Sequence, residues 1–138
     1  MDQLFEVTIK SDSKEIPGVS ASLETAMHAQ GFGSDDILDT QLAVEEAITN
    51  IIDHGYKNEY GEIIISCRIN INQVEVQIRD TAPRFDPLSL PEPKLDDSIK
   101  DRKIGGLGVF LIRQVMDEIV YRYDNGRNIL VLIKRKSE

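Results

Sequence analysis

The chain has 138 residues, 41% hydrophobic and 29% charged, with a net charge of −8. That composition suits a soluble globular domain with a real core. It excludes a basic nucleic-acid surface and, with no apolar run near the ~18 residues a span needs, a membrane helix. The first residues, MDQLFEVTIK, lack the basic and apolar regions of a signal peptide, and a lone cysteine, Cys67, points to a reducing cytoplasm.

In chain order, residues 4–10 read as a short strand and residues 16–32 as a helix, with Pro17 in its first turn and Gly31 at its exit. Ser34 is placed to cap a second helix, which Asp35 and Asp36 favour at its positive end. That helix should run to about His54, with Gly55 following as the residue that ends it. A hairpin comes next. Ile63, Ile65, Cys67, Ile69 and Ile71 alternate onto one face, and Val74, Val76, Ile78 and Asp80 do the same in the partner strand. Residues 87–103 are polar, carry Pro87, Pro91 and Pro93, and show no period, as expected of a functional or mobile loop. GGLG at 105–108 opens a helix to about Glu118, and a last hairpin turns at Asn125-Gly126. Grouped hairpins and separate helices predict an α+β two-layer sandwich, with helices on one face of a mixed, mostly antiparallel sheet.

Three places carry candidate chemistry. Ile37, Val44, Ile48 and Ile51 mark the buried side of the second helix, and Glu46, Asn50 and Asp53 form a polar stripe at i, i+4 and i+7. On periodicity alone, a solvated face is the simpler reading. Yet Leu42 and Ala43 adjoin the stripe, and Asn50 is a poor helix former. A carboxylate and an amide oxygen one turn apart suit a water or a hard cation such as Mg²⁺, which takes oxygen ligands. Asp80 continues an apolar phase, so its carboxylate should point inward and need partners; turn N–H groups in DTAP or a ligand's amino group both qualify. The glycines of IGGLG allow close backbone approach at a helix start that attracts anions, and Lys100, Arg102 and Lys103 precede them, either as phosphate contacts or as a solvated charge run.

Together these stretches resemble the GHKL, or Bergerat-fold, ATPases, and among them the bacterial anti-sigma-factor serine/threonine kinases. VEEAITNIIDHGY is similar to their N-box, IRDTAPRFDP stands where their G1 box would be, and IGGLGVFLIRQVMDEIVY is similar to their G2 box. The resemblance spans about residues 34–135 and implies one histidine-kinase-like ATPase domain over 1–138. It implies that Glu46 is the general base, that Asn50 binds Mg²⁺, and that Asp80 accepts from the adenine amino group. It further implies a site for ATP or ADP that includes Asp53, Ala82, Arg102, Lys103, Gly105, Gly106, Leu107 and Gly108, with residues 87–103 as the ATP lid. Implied partners are a sigma factor and a STAS-type anti-sigma antagonist, the substrate; no nucleic acid or membrane is expected, and a homodimer is suggested. The competing expectation is a non-catalytic, nucleotide-bound partner-switching module. One position departs from the family pattern: Ala82 stands where the G1 glycine would be. A positive φ there would strain alanine, whereas with a negative φ one methyl changes little.

Overall fold

A computed structural model describes residues 2–89 and 106–137. The remaining positions include Arg102, Lys103, Gly105 and most of the expected lid, which lie outside the described residues.

Five strands, β1 (Gln3–Lys10), β2 (Glu62–Ile69), β3 (Gln73–Asp80), β4 (Glu118–Asp124) and β5 (Arg127–Arg135), form one sheet in the order β1-β2-β3-β5-β4. All four pairings are antiparallel, so the mixed sheet expected from the sequence is, among the described residues, purely antiparallel. Ile63, Ile65, Cys67 and Ile69 of β2 and Val74, Val76 and Ile78 of β3 point into the core, as their period of two requires. Ile71 does not join them. It lies in the β2–β3 turn and is 62% exposed, because Asn70 closes that turn by accepting from the N–H groups of Asn72 and Gln73. Asn125 and Gly126 have φ of 51° and 75°, the paired left-handed conformation that tightens the β4–β5 hairpin.

Helices α1 (Ile16–Ala29), α2 (Ser34–Asn50) and α3 (Gly106–Val115) cover one face of the sheet, with α2 packed against both others. The fold is an α+β two-layer sandwich, as the element order predicts. Val19, Leu23, Ala26 and Met27 line the inner side of α1, and Ile37, Ala43, Val44, Ala47 and Ile48 that of α2. Each large side chain so buried contributes roughly 1.5–3 kcal/mol. The N-cap of α2 is Gly33 rather than Ser34. Buried Asp36 instead ties the start of α2 to the end of the chain, accepting from the Ser137 N–H at 2.8 Å and hydroxyl at 2.7 Å.

Two helix ends differ from the expectation. The α-helical geometry of α2 stops at Asn50 and gives way to a π-helical turn over Ile51–Gly55. Left-handed Lys57 and Asn58, with φ of 53° and 65°, then reverse the chain, so Gly55 is not the reversing residue. Helix α3 ends at Val115, not at Glu118, because Asp117 and Glu118 are drawn into pairing with Ile133 and Arg135 of β5.

Candidate functional site

The helical layer and the sheet part at one end to leave a cavity of about 600 Å³, its open mouth included. Asn50 and the π-helical turn form one wall, α3 contributes Val109 and Ile112, and the end of β3 supplies Asp80 and Ala82. Pro87 and Leu88 close one side, and Leu88 is held in place by Arg113 of α3, which donates to its carbonyl at 2.8 Å.

Asp80 lies inward, as its phase predicts, and is 6% exposed. Its Oδ1 accepts from the Ala82 N–H at 2.9 Å and from the Asn128 amide at 2.9 Å. No described residue donates to Oδ2. Burial raises the Asp80 pKa above its usual value, while the Asn128 and Ala82 hydrogen bonds act in the opposite direction. A turn N–H of DTAP thus satisfies one oxygen, as the first of the two expectations has it.

Ala82 is not among the residues with positive φ, so its methyl group causes no backbone strain. The methyl faces Gly55, where a Cβ would come within 3.2 Å of it. The side chain missing at Gly55 therefore makes room for the one present at Ala82. Next to this seam, Tyr56 clasps the strand end: its hydroxyl donates to the Glu62 carbonyl at 2.7 Å and accepts from the Thr81 N–H at 2.9 Å. Its ring occupies the space where Gly61 would carry a side chain, at 2.3 Å from a built Cβ.

At the helix end, α3 crosses α2 so closely that a Cβ on Gly108 would lie 2.8 Å from Glu46 Oε2 and 3.5 Å from Asn50 Nδ2. Glycine at 108 is what lets the two helices meet there. Glu46 is half-buried, and its pKa is raised, first by burial and then by the charge of Glu45. Neither Glu46 nor Asn50 makes a side-chain hydrogen bond to another described residue. Asp53, the third member of the stripe, is not brought into this group. The wider π turn shifts the register, and Asp53 is exposed in a separate groove with Lys10 and Asp12. No group of three or more His, Cys, Asp or Glu able to hold a metal occurs among the described residues. Gly106 and Leu107 begin α3.

Sequence reasoning missed Asn128 and Tyr121. Asn128 is directly opposite Asp80 in the β3–β5 register and is 7% exposed. The available signal was its phase: Asn128 alternates with Leu130 and Leu132, so it points inward just as Asp80 does.

A family model for the histidine kinase-like ATPase domain matches residues 9–134. The chain belongs to this ATPase family. It is 29% identical over 131 residues to the serine-protein kinase RsbW of Bacillus thuringiensis strain Al Hakam, an alignment covering 92% of this chain and 82% of the relative. The serine-protein kinase RsbW of Bacillus anthracis is likewise 29% identical, over 136 residues, with the same coverage. A crystal structure of the RsbU and RsbW domains of a Mycobacterium tuberculosis protein superposes with a TM-score of 0.68 at 18% identity, over 99% of this chain and 33% of the other. That likeness bears on the fold, which is the α+β sandwich of the ATPase family. No helix of the described residues is long and apolar enough to cross a membrane.

Proposed function

We propose that this histidine kinase-like ATPase domain, spanning 1–138, is an anti-sigma-factor serine/threonine kinase of the cytoplasm. It phosphorylates a small STAS-type antagonist, sequesters a sigma factor and works as a homodimer. The observation that carries this reading is the meeting of Glu46 and Gly108 with Asn50, which lines a cavity that also holds Asp80, one of whose oxygens no described residue engages. The kinase names of the Bacillus relatives support the same reaction class.

The residues present fit a nucleotide with its metal. Ionised Asp80 offers Oδ2 as an acceptor-only group, which suits the amino group of adenine. The largely apolar walls of the cavity suit a base and ribose, and backbone lacking a side chain at Gly106 and Gly108 suits phosphates at the start of α3. With one amide oxygen rather than a carboxylate cluster, Asn50 would hold Mg²⁺ as one protein ligand among phosphate oxygens and waters. When bound, ATP with Mg²⁺ supplies the phosphoryl group and neutralises its charge. Glu46 takes the proton of the attacking serine or threonine hydroxyl, and its raised pKa makes it a stronger base than an ordinary glutamate. Since phosphoryl transfer depends mainly on positioning and electrostatics, a base, a metal ligand and close backbone suffice.

Calorimetric titration of ATP and ADP with and without Mg²⁺, followed by phosphate transfer to a candidate antagonist, tests the proposal. Mg²⁺-strengthened binding and transfer to a serine or threonine are expected. Absence of nucleotide binding would overturn it, and nucleotide-dependent partner binding without transfer would make the protein a switch.

A further inference from the structure

We infer that Asn128, braced by Tyr121, is the positioning residue that aims the Asp80 carboxylate at a bound adenine and sets the path of the chain after β3; this rests on the nucleotide reading above. Every hydrogen-bonding direction of the Asn128 amide is in use. Its Nδ2 donates to Asp80 Oδ1 at 2.9 Å, to the Ala82 carbonyl at 3.0 Å and to the Pro83 carbonyl at 3.3 Å. Its Oδ1 accepts from the Phe85 N–H at 3.1 Å and the Tyr121 hydroxyl at 2.5 Å. A side chain so engaged has no capacity left for a ligand, so it acts through the groups it holds. Those groups, Asp80, Ala82, Pro83 and Phe85, all line the cavity.

The orientation of the amide follows from the same network. Turned over, its carbonyl would face the Asp80 carboxylate and the Ala82 and Pro83 carbonyls, and its NH₂ would face the Phe85 N–H, losses that donation to the Tyr121 hydroxyl would not offset. With two donors fixing Oδ1 of Asn128, its Nδ2 must meet Oδ1 of Asp80. Oδ2 is then the only oxygen of Asp80 left to a ligand. Tyr121 closes the arrangement from β4, and its pKa is raised chiefly by burial, so the hydroxyl remains a donor at neutral pH.

The amide also favours the charged form of Asp80 against its burial. Other titratable groups surround it. Arg84 and Asp86 lie in the following loop near Tyr121. Glu62, Arg79, Arg127 and Tyr56 border the groove on the outer side of the strand end. Glu46 lies by Gly108 together with Asn50, which lines the cavity on its helical side. None of these groups hydrogen-bonds to the Asp80 carboxylate; among the described residues, only Asn128 and the Ala82 N–H do so.

The test is the pH profile of ATP and ADP affinity for the full chain, by calorimetry, from about pH 8 to about pH 5. Asn128→Leu removes all five contacts while nearly keeping volume. It should bind nucleotide about tenfold more weakly near neutrality. Its affinity should also begin to fall at a higher pH than that of the wild type, because Asp80 then takes up its proton sooner. Asn128→Ser, which keeps one hydroxyl donor for Oδ1, should recover part of both losses. Tyr121→Phe should weaken binding about two- to threefold. If Asn128→Leu does not fold by circular dichroism, Asn128→Ser and Tyr121→Phe decide the matter by the same two readouts. An Asn128→Leu or Asn128→Ser variant that folds and binds as the wild type does, or that loses only melting temperature while its pH profile stays in place, overturns the inference, as does a Tyr121→Phe variant with unchanged affinity. A wild type that binds no nucleotide overturns the functional reading first, and this inference with it.

Discussion

The two ends of the cavity are built on opposite plans. At the strand end, Asp80 is held by Asn128 and the Ala82 N–H, Thr81 by Tyr56, and Phe85 by Asn128 again. At the helix end, Glu46 and Asn50 have no such restraints among the described residues; helix packing and the missing side chain of Gly108 place them. The contrast shows where pre-organisation belongs. A recognition group gains from being fixed before the ligand arrives, since ordering it then costs no affinity. On the function proposed above, Glu46 and Asn50 would meet a metal, phosphates and a moving proton, and must keep their hydrogen-bonding capacity free.

The sharpest way to break this comparison is at the helix end. Glu46→Gln is nearly isosteric and a comparable helix former, so fold and nucleotide binding should persist. Phosphate transfer to the antagonist should fall about 10²–10⁴-fold. A rate within a few-fold of wild type would remove Glu46 as the base. Because burial and Glu45 raise its pKa, the wild-type rate should decline on acidification at a pH above the ordinary glutamate range, as the base becomes protonated. Stopped-flow or radiolabel transfer across pH reads that limb directly.

Asp80→Asn probes the other end. The substituted amide still accepts from Asn128, so the fold should survive, but it turns an NH₂ toward the adenine amino group. ATP and ADP affinity by calorimetry should drop about tenfold to a hundredfold, the loss of a charge-assisted hydrogen bond. The sign of its stability effect is also set. The Asp80 pKa is raised on folding, so its contribution to stability is fully present below the unfolded-state value and lost as pH rises through the folded one. Asp80→Asn, which cannot ionise, should therefore show less loss of stability than wild type between acid and neutral pH in denaturant titrations.

Gly108→Ala sharpens the packing half of the comparison. A methyl at 2.8 Å from Glu46 Oε2 meets the end of a side chain that can swing away. Melting temperature should change little, because alanine is the better helix former by about 1 kcal/mol. Transfer should fall about tenfold as the carboxylate is displaced. Equal transfer rates would mean that Glu46 has room the packing does not indicate.

The smallest expected effect lies at the seam between the ends. Gly55→Ala puts a Cβ 3.2 Å from that of Ala82 and should destabilise by about 1 kcal/mol. Adding Ala82→Gly should recover most of that loss, with a coupling of about 0.5 kcal/mol or more in a double-mutant cycle. Additive effects would show that the two positions do not answer each other.

Much of this arrangement was legible in the amino-acid order. Period-two alternation placed Ile63, Ile65, Cys67 and Ile69 and the inward Asp80, since a strand alternates faces whatever it packs against. Asn125-Gly126 specified its own turn through local φ preferences. The N-box and G2-box stretches pointed to Glu46, Asn50 and Gly108, which the fold brings into contact.

What local sequence could not decide was how distant segments share space. The π turn that carries Asp53 away from Glu46 and Asn50 depends on the reversal at Lys57 and Asn58 and on the packing of Gly55 against Ala82. The early end of α3 follows from pairing with β5, 15 or more residues further along the chain, as in Glu118 with Ile133. Asn128 acquires its role only because β5 inserts beside β3, which sets it opposite a residue 48 positions earlier. Propensity and period are properties of a few neighbouring residues. Register, helix crossing and the pairing of a methyl with a missing one are properties of chains that meet only after folding, and those meetings made the cavity.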